Sequence, residues 1–114
     1  MKLYGLKTCD TCRKARQALE KAGESVEFID VREVPLSRAA VAQFFAAFGE
    51  DLVNRRSTTW RGLDESARKG AAVELILAHP TLMKRPVLKS EKATTLGWSA
   101  EILARHLGTS AAAS

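Results

Sequence analysis

Cysteine is scarce in this chain. There are two, Cys9 and Cys12, three positions apart near the N-terminus. In a reducing compartment a lone pair at that spacing points to catalysis or metal binding rather than to a structural staple. There is no second cluster of Cys and His to complete a four-ligand zinc site, so no metal is expected. Aromatic residues make up 6% of the chain, which leaves few platforms for stacking on nucleic-acid bases. No apolar run is long enough to span a bilayer. No secretory leader is visible, because Met1-Lys2 runs straight into a strand-like segment; the expected compartment is the cytoplasm. No internal repeat is present.

What is there is basic. The net charge is +5 and the pI is about 9.6. Such a surface attracts phosphates, oxyanions, acidic peptides or nucleic acid. The basic residues are spread along the chain, so the excess reads as solvated surface, and no direct specific nucleic-acid binding is expected. The 114 residues suit a single domain with one modest core, over residues 1–108. The small-residue stretch 109–114 reads as a flexible tail.

Hydrophobic spacing lays out the elements. Lys2 to Leu6 reads as a strand. Thr11 to Ala22 reads as a helix, with Ala15, Ala18, Leu19 and Ala22 at helical spacing and Gly23 as its stop. Ser25 to Val31 alternates like a second strand, which makes strand–helix–strand a parallel crossover. Ser37 caps a helix over Ala39–Phe48 whose stripe is Val41, Phe44, Phe45 and Phe48. Asp51 to Trp60 reads as a short helix leading into a loop. Asp64 to Lys69 and Ala71 to Ala78 read as further helices, the second stopped by His79-Pro80. Leu82 to Pro86 reads as a loop. Val87–Leu88 and Thr94–Leu96 form a hairpin pattern, although its turn lacks Gly or Asn. Ser99 caps a last helix, which runs to Leu107 before Gly108, with Arg105 and His106 near the end that favours cations.

The cysteines fall at the turn between the first strand and the first helix. Exposed N–H groups and the positive end of the helix dipole stabilise a thiolate there. Cys9 is the candidate nucleophile. Lys7, Arg13 and, after folding, Arg56 and Arg85 are the cations expected to favour its anion. The alternative for Cys9 is an inert buried thiol, which this polar, cationic turn argues against. Cys12 lies one helical turn on and can resolve a mixed disulfide on Cys9; its alternative is a small core filler. Arg56 and Arg85 offer planar guanidinium donors to an anion. Lys7 and Thr11 either help hold that anion or are, respectively, a solvated lysine and a helix cap. Trp60 and Trp98 read as packing residues.

Four segments carry a family resemblance: 4–16 with the cysteines, 52–60 (Leu-Val-Asn-Arg-Arg-Ser-Thr-Thr-Trp), 79–88 (His-Pro-Thr-Leu-Met-Lys-Arg-Pro-Val-Leu) and Leu96-Gly97-Trp98. Together they resemble the arsenate reductase/Spx-like family, most like its YffB-like branch. The resemblance implies an α/β, thioredoxin-like fold, β-α-β then β-β-α, with a helical insertion between the halves. It implies that Pro86 packs near the reactive cysteine after a cis Arg85–Pro86 bond. It implies a cytosolic thiol-dependent reductase with Cys9 as nucleophile and an arginine anion clamp. Glutathione would be the co-substrate, glutaredoxin or thioredoxin the protein partner, and no cofactor would be tightly bound; the chain would act as a monomer. The alternative is an Spx-like redox-sensing regulator that binds the RNA polymerase α-subunit. Arsenate reductases of the family differ: they carry Ser at the position of Cys12, and His and Asn where this chain has Gly5 and Leu6. Those differences count against arsenate as the substrate.

Overall fold

The computed structural model describes residues 1–107. The stop at Gly108 and the tail over 109–114 lie outside the described residues. The chain divides into two compact units: Met1–Asp30 together with Arg85 onward, and Val31–Lys84. The second is the helical insertion.

The first unit holds four strands, β1 (Lys2–Gly5), β2 (Glu27–Asp30), β3 (Val87–Lys89) and β4 (Thr94–Leu96). They lie in the order β2-β1-β3-β4. β1 pairs with β2 in parallel, Gly5 opposite Asp30, as the short crossover requires. β1 and β3 are antiparallel, with Tyr4 opposite Val87, and β3–β4 is the expected hairpin. Its turn dispenses with Gly and Asn because Ser90 shapes it: the Ser90 hydroxyl accepts the N–H groups of Lys92 and Ala93, both at 3.3 Å.

Helix α1 (Asp10–Lys21) starts one residue earlier than its periodicity indicates, with Cys9 as N-cap. Its buried face is Cys12, Ala15 and Leu19, while Ala22 is exposed. Leu3 and Leu88 complete the core of this unit, and Trp98, Ile102 and Leu103 pack against it. Trp98 is thus a packing residue, as expected. Helix α6 (Ala100–Leu107) is capped by Ser99, whose hydroxyl accepts from Ile102 N–H at 3.1 Å.

The second unit contains α2 (Arg38–Phe48), α3 (Thr58–Gly62), α4 (Glu65–Arg68) and α5 (Ala72–Ala78). Ser37 caps α2, accepting from Ala40 N–H at 3.1 Å. The expected short helix after Asp51 is displaced. Gly49–Leu52 is a 3-10 turn, Val53 bridges Met83, and helix resumes only at Thr58. The cause is local: Ser57 accepts from Trp60 N–H at 3.1 Å, so the Ser-Thr-Thr run starts a helix where it reads as a loop.

Candidate active site

The site grows from the end of β1. Leu6 C=O accepts the Cys9 N–H at 3.0 Å, closing a tight turn. The Lys7 N–H donates to the Asp30 carboxylate at 2.9 Å, which ties this turn to the neighbouring strand. The chain then enters α1 at Cys9, which has extended backbone angles and is half-buried. Cys12 follows one turn later and is 0% exposed.

Arg85 reaches this turn from the start of β3. Because β3 runs antiparallel to β1, residues 85 and 86 come level with the end of β1 where the cysteines sit. The Arg85–Pro86 bond is cis, as the resemblance implies, and Pro86 is buried. The structure therefore brings Cys9, Cys12, Arg85 and Pro86 together within the first unit.

The electrostatics separate the two thiols. Partial burial alone would push the Cys9 thiol up. The Cys12 N–H, the Cys12 thiol and the Arg85 guanidinium oppose it by hydrogen bonding to the sulfur, and the Arg85 charge adds to them. Together they hold Cys9 below the ordinary thiol range. Cys12 is the opposite case. Burial first, and then the nearby Cys9, outweigh the Leu6 N–H and Arg85, so that Cys12 is pushed up to about 12.

The remaining expected residues are more dispersed. Lys7 and Thr11 are exposed, and Thr11 lies inside the first turn because Cys9 occupies the cap. Arg13 is exposed and ion-paired with Asp10. Arg85 is thus the cation whose guanidinium bonds to Cys9. Arg56 belongs to the second unit. Arg56 is exposed, and its backbone N–H donates to Asn54 Oδ1 at 3.1 Å. Its neighbour Arg55 is committed to Glu50 at 2.6 Å and stands 5.5 Å from the centroid of the Trp60 ring. Arg68 lies 5.6 Å from the same ring, so the half-buried Trp60 meets two guanidinium groups.

Three residues near the site escaped sequence reasoning. Gly5 gives Cys12 room, Leu6 offers it a backbone N–H, and Asp30 holds the Lys7 turn. A glycine inside a strand is a signal of close approach and marks Gly5. Nothing in local spacing marks Asp30, which is 5% exposed at the end of β2. His106 also departs from expectation. It is 2% exposed, with Ser90 Oγ and Thr95 Oγ1 each 2.7 Å from one ring nitrogen. Burial first, then the Arg105 charge, lowers its pKa against the opposing Glu24 charge, which disfavours the helix-end cation expected from its position.

Residues 4–105 match the sequence profile of the ArsC family. This chain belongs to the ArsC family. The solved structure of a YFFB protein is 36% identical, with a TM-score of 0.86 over 93% of this chain and 97% of that one. An arsenate reductase (ArsC) related protein from Brucella melitensis is 34% identical, with a TM-score of 0.69 over 93% of this chain and 92% of that one. The global transcriptional regulator Spx of Streptococcus pyogenes is 29% identical over 81% of this chain and 73% of its own length. ArsC family membership thus joins this chain to reductase-like and regulator-like relatives. The fold is the expected thioredoxin-like α/β arrangement.

Proposed function

We propose that this ArsC-family chain is a cytosolic thiol-dependent reductase, with Cys9 as nucleophile and glutathione or a glutaredoxin as electron donor. The observation that carries this reading is the Arg85 guanidinium bonded to the Cys9 sulfur at the start of α1. A thiolate held beside a planar cation can attack an anionic substrate that the same cation attracts. Arg56, an exposed residue of the second unit, is proposed as a further anion-binding arginine on the family resemblance alone. Lys7, Thr11 and Arg13 would contribute only peripheral charge or donors. Cys12 then resolves the intermediate on Cys9, or a second glutathione does so from solvent.

The test supplies reduced protein with glutathione, glutaredoxin and NADPH, and either a glutathione mixed disulfide or arsenate. NADPH consumption should fall to background in Cys9→Ser. Arg85→Ala should lower the rate at least about tenfold, the scale of losing a charge-assisted bond. Turnover unchanged in Cys9→Ser would remove the reading.

The two thiols within one helical turn, together with the Spx relative, favour one second reading. In it the Cys9–Cys12 pair senses oxidants, and the chain binds the C-terminal domain of the RNA polymerase α-subunit. A pull-down with that domain, performed on reduced and oxidised protein, separates the two. Redox-dependent capture supports the regulator, and no capture in either state removes it.

A further inference from the structure

Gly5 ends β1 with its backbone pressed against the side chain of Cys12. A Cβ at this position would stand 2.5 Å from Cys12 Sγ and 3.2 Å from Cys12 Cβ. No sulfur tolerates a carbon at the first distance, so the sulfur occupies the space that a side chain at residue 5 would fill. Gly5 has no positive φ, and so the need for glycine here is room, not backbone conformation.

In this seat the Cys12 thiol bonds to the Cys9 sulfur, while the Leu6 N–H reaches Cys12 from the adjoining backbone. The seated sulfur therefore faces its redox partner. Shielding is complete, since Cys12 is 0% exposed, and an external disulfide reaches Cys9 alone.

We propose that Gly5 is a positioning residue for the resolving step: its missing side chain is the seat that aims Cys12 at Cys9. The proposal rests on the thiol chemistry inferred above. A small disulfide such as glutathione disulfide first exchanges with the Cys9 thiolate, forming a Cys9–glutathione bond and releasing one glutathione thiolate, which takes up a proton. Cys12 then loses its proton and attacks Cys9 Sγ. The Cys9–Cys12 bond forms, the Cys9–glutathione bond breaks, and a second glutathione leaves as its thiolate and takes up a proton, balancing the one Cys12 released. Two protein thiols are oxidised and one glutathione disulfide is reduced to two thiols.

Adding a Cβ at residue 5 evicts Cys12 Sγ from the seat and from Cys9. In Gly5→Ala, closure of the Cys9–Cys12 disulfide after Cys9 glutathionylation should slow by about tenfold or more, as reacting atoms lose their alignment. The Cys9 thiolate should also titrate higher, having lost the Cys12 thiol as a donor.

The experiment measures closure by quenched-flow mass spectrometry on folded wild-type and Gly5→Ala protein. A thermal-stability cycle adds Cys12→Ala and Gly5→Ala/Cys12→Ala. Removing the sulfur relieves the 2.5 Å clash and leaves the 3.2 Å and 3.3 Å contacts with Cys12 Cβ and Leu3 Cδ2, so Gly5→Ala should destabilise the wild type and cost clearly less in the Cys12→Ala background. If Gly5→Ala alone fails to fold, recovery of folding in the double variant supports the proposal. Equal destabilisation in both backgrounds, or unchanged closure in a folded Gly5→Ala, overturns it. Neither readout requires reductase turnover, so the proposal can fail while the reductase reading stands, and the reverse.

Discussion

At the scale of single residues, the site is an asymmetric pair. Cys9 is pulled below the ordinary thiol range by the Cys12 N–H and thiol and then by Arg85, and Cys12 is driven to about 12 mainly by burial. The two shifts act on stability in opposite windows. An unfolded thiol ionises near about 8.5. Cys9 ionises earlier in the folded state, so its contribution grows as pH rises through its folded value and is complete above the unfolded one. Cys12 ionises later in the folded state, so stability falls as pH climbs from about 8.5 towards 12. Chemical denaturation of reduced protein across that alkaline range should show the loss, and Cys12→Ala should flatten it. A slope equally steep in the variant would assign the loss elsewhere. The two cysteines and the pairing of arginine with proline were legible in the sequence, because their order along the chain survives folding. The seat at Gly5 and the Asp30 tie were not, because both depend on contacts across the turn and between strands.

At the scale of elements, the periodic segments were the legible ones. α1 and α2 carry their buried stripes at helical spacing, and β4 falls on Thr94–Leu96 as expected. The stretch from residue 49 to 62 was misread because short turns there are set by side-chain caps rather than by apolar periodicity, Ser57 above all. His106 shows the same limit. Its place near a helix end suggests a cation, but it is a buried link between the β3–β4 hairpin and α6, hydrogen-bonded to Ser90 and Thr95. Its folded pKa lies below the unfolded value, so the unfolded chain takes up the proton more readily. Stability is full above about 6.5 and declines as pH falls towards the folded value. His106→Gln should flatten this acid-side decline in a denaturation series. It should also lower stability at neutral pH by about 1–3 kcal/mol, the cost of leaving buried hydroxyls poorly paired.

At the scale of the whole molecule, the +5 charge complements the anion chemistry proposed for Cys9. Encounter with an anionic disulfide should be steered and salt-sensitive, whereas a neutral one should not be. The rate of Cys9 reaction with glutathione disulfide should fall with added salt, and the rate with bis(hydroxyethyl) disulfide should stay level. Parallel salt dependence for both would remove the steering argument. No described helix is long and apolar enough to cross a membrane. The two-unit division follows from the chain path: the insertion Val31–Lys84 leaves after β2 and returns at the residue before Arg85. Arg85 thus begins the returning segment, and its guanidinium connects the start of β3 to the nucleophile. The central claim is that this connection, added to the Cys12 N–H and thiol, makes Cys9 an activated thiolate. Thiolate absorbance in the ultraviolet, followed against pH on reduced wild type, Cys9→Ser and Arg85→Ala, tests it most directly. The account predicts a first thiolate below the ordinary thiol range that is absent in Cys9→Ser and shifted upward in Arg85→Ala, with the second appearing only near 12. A first thiolate at or above the ordinary range, or one that persists in Cys9→Ser, would contradict it.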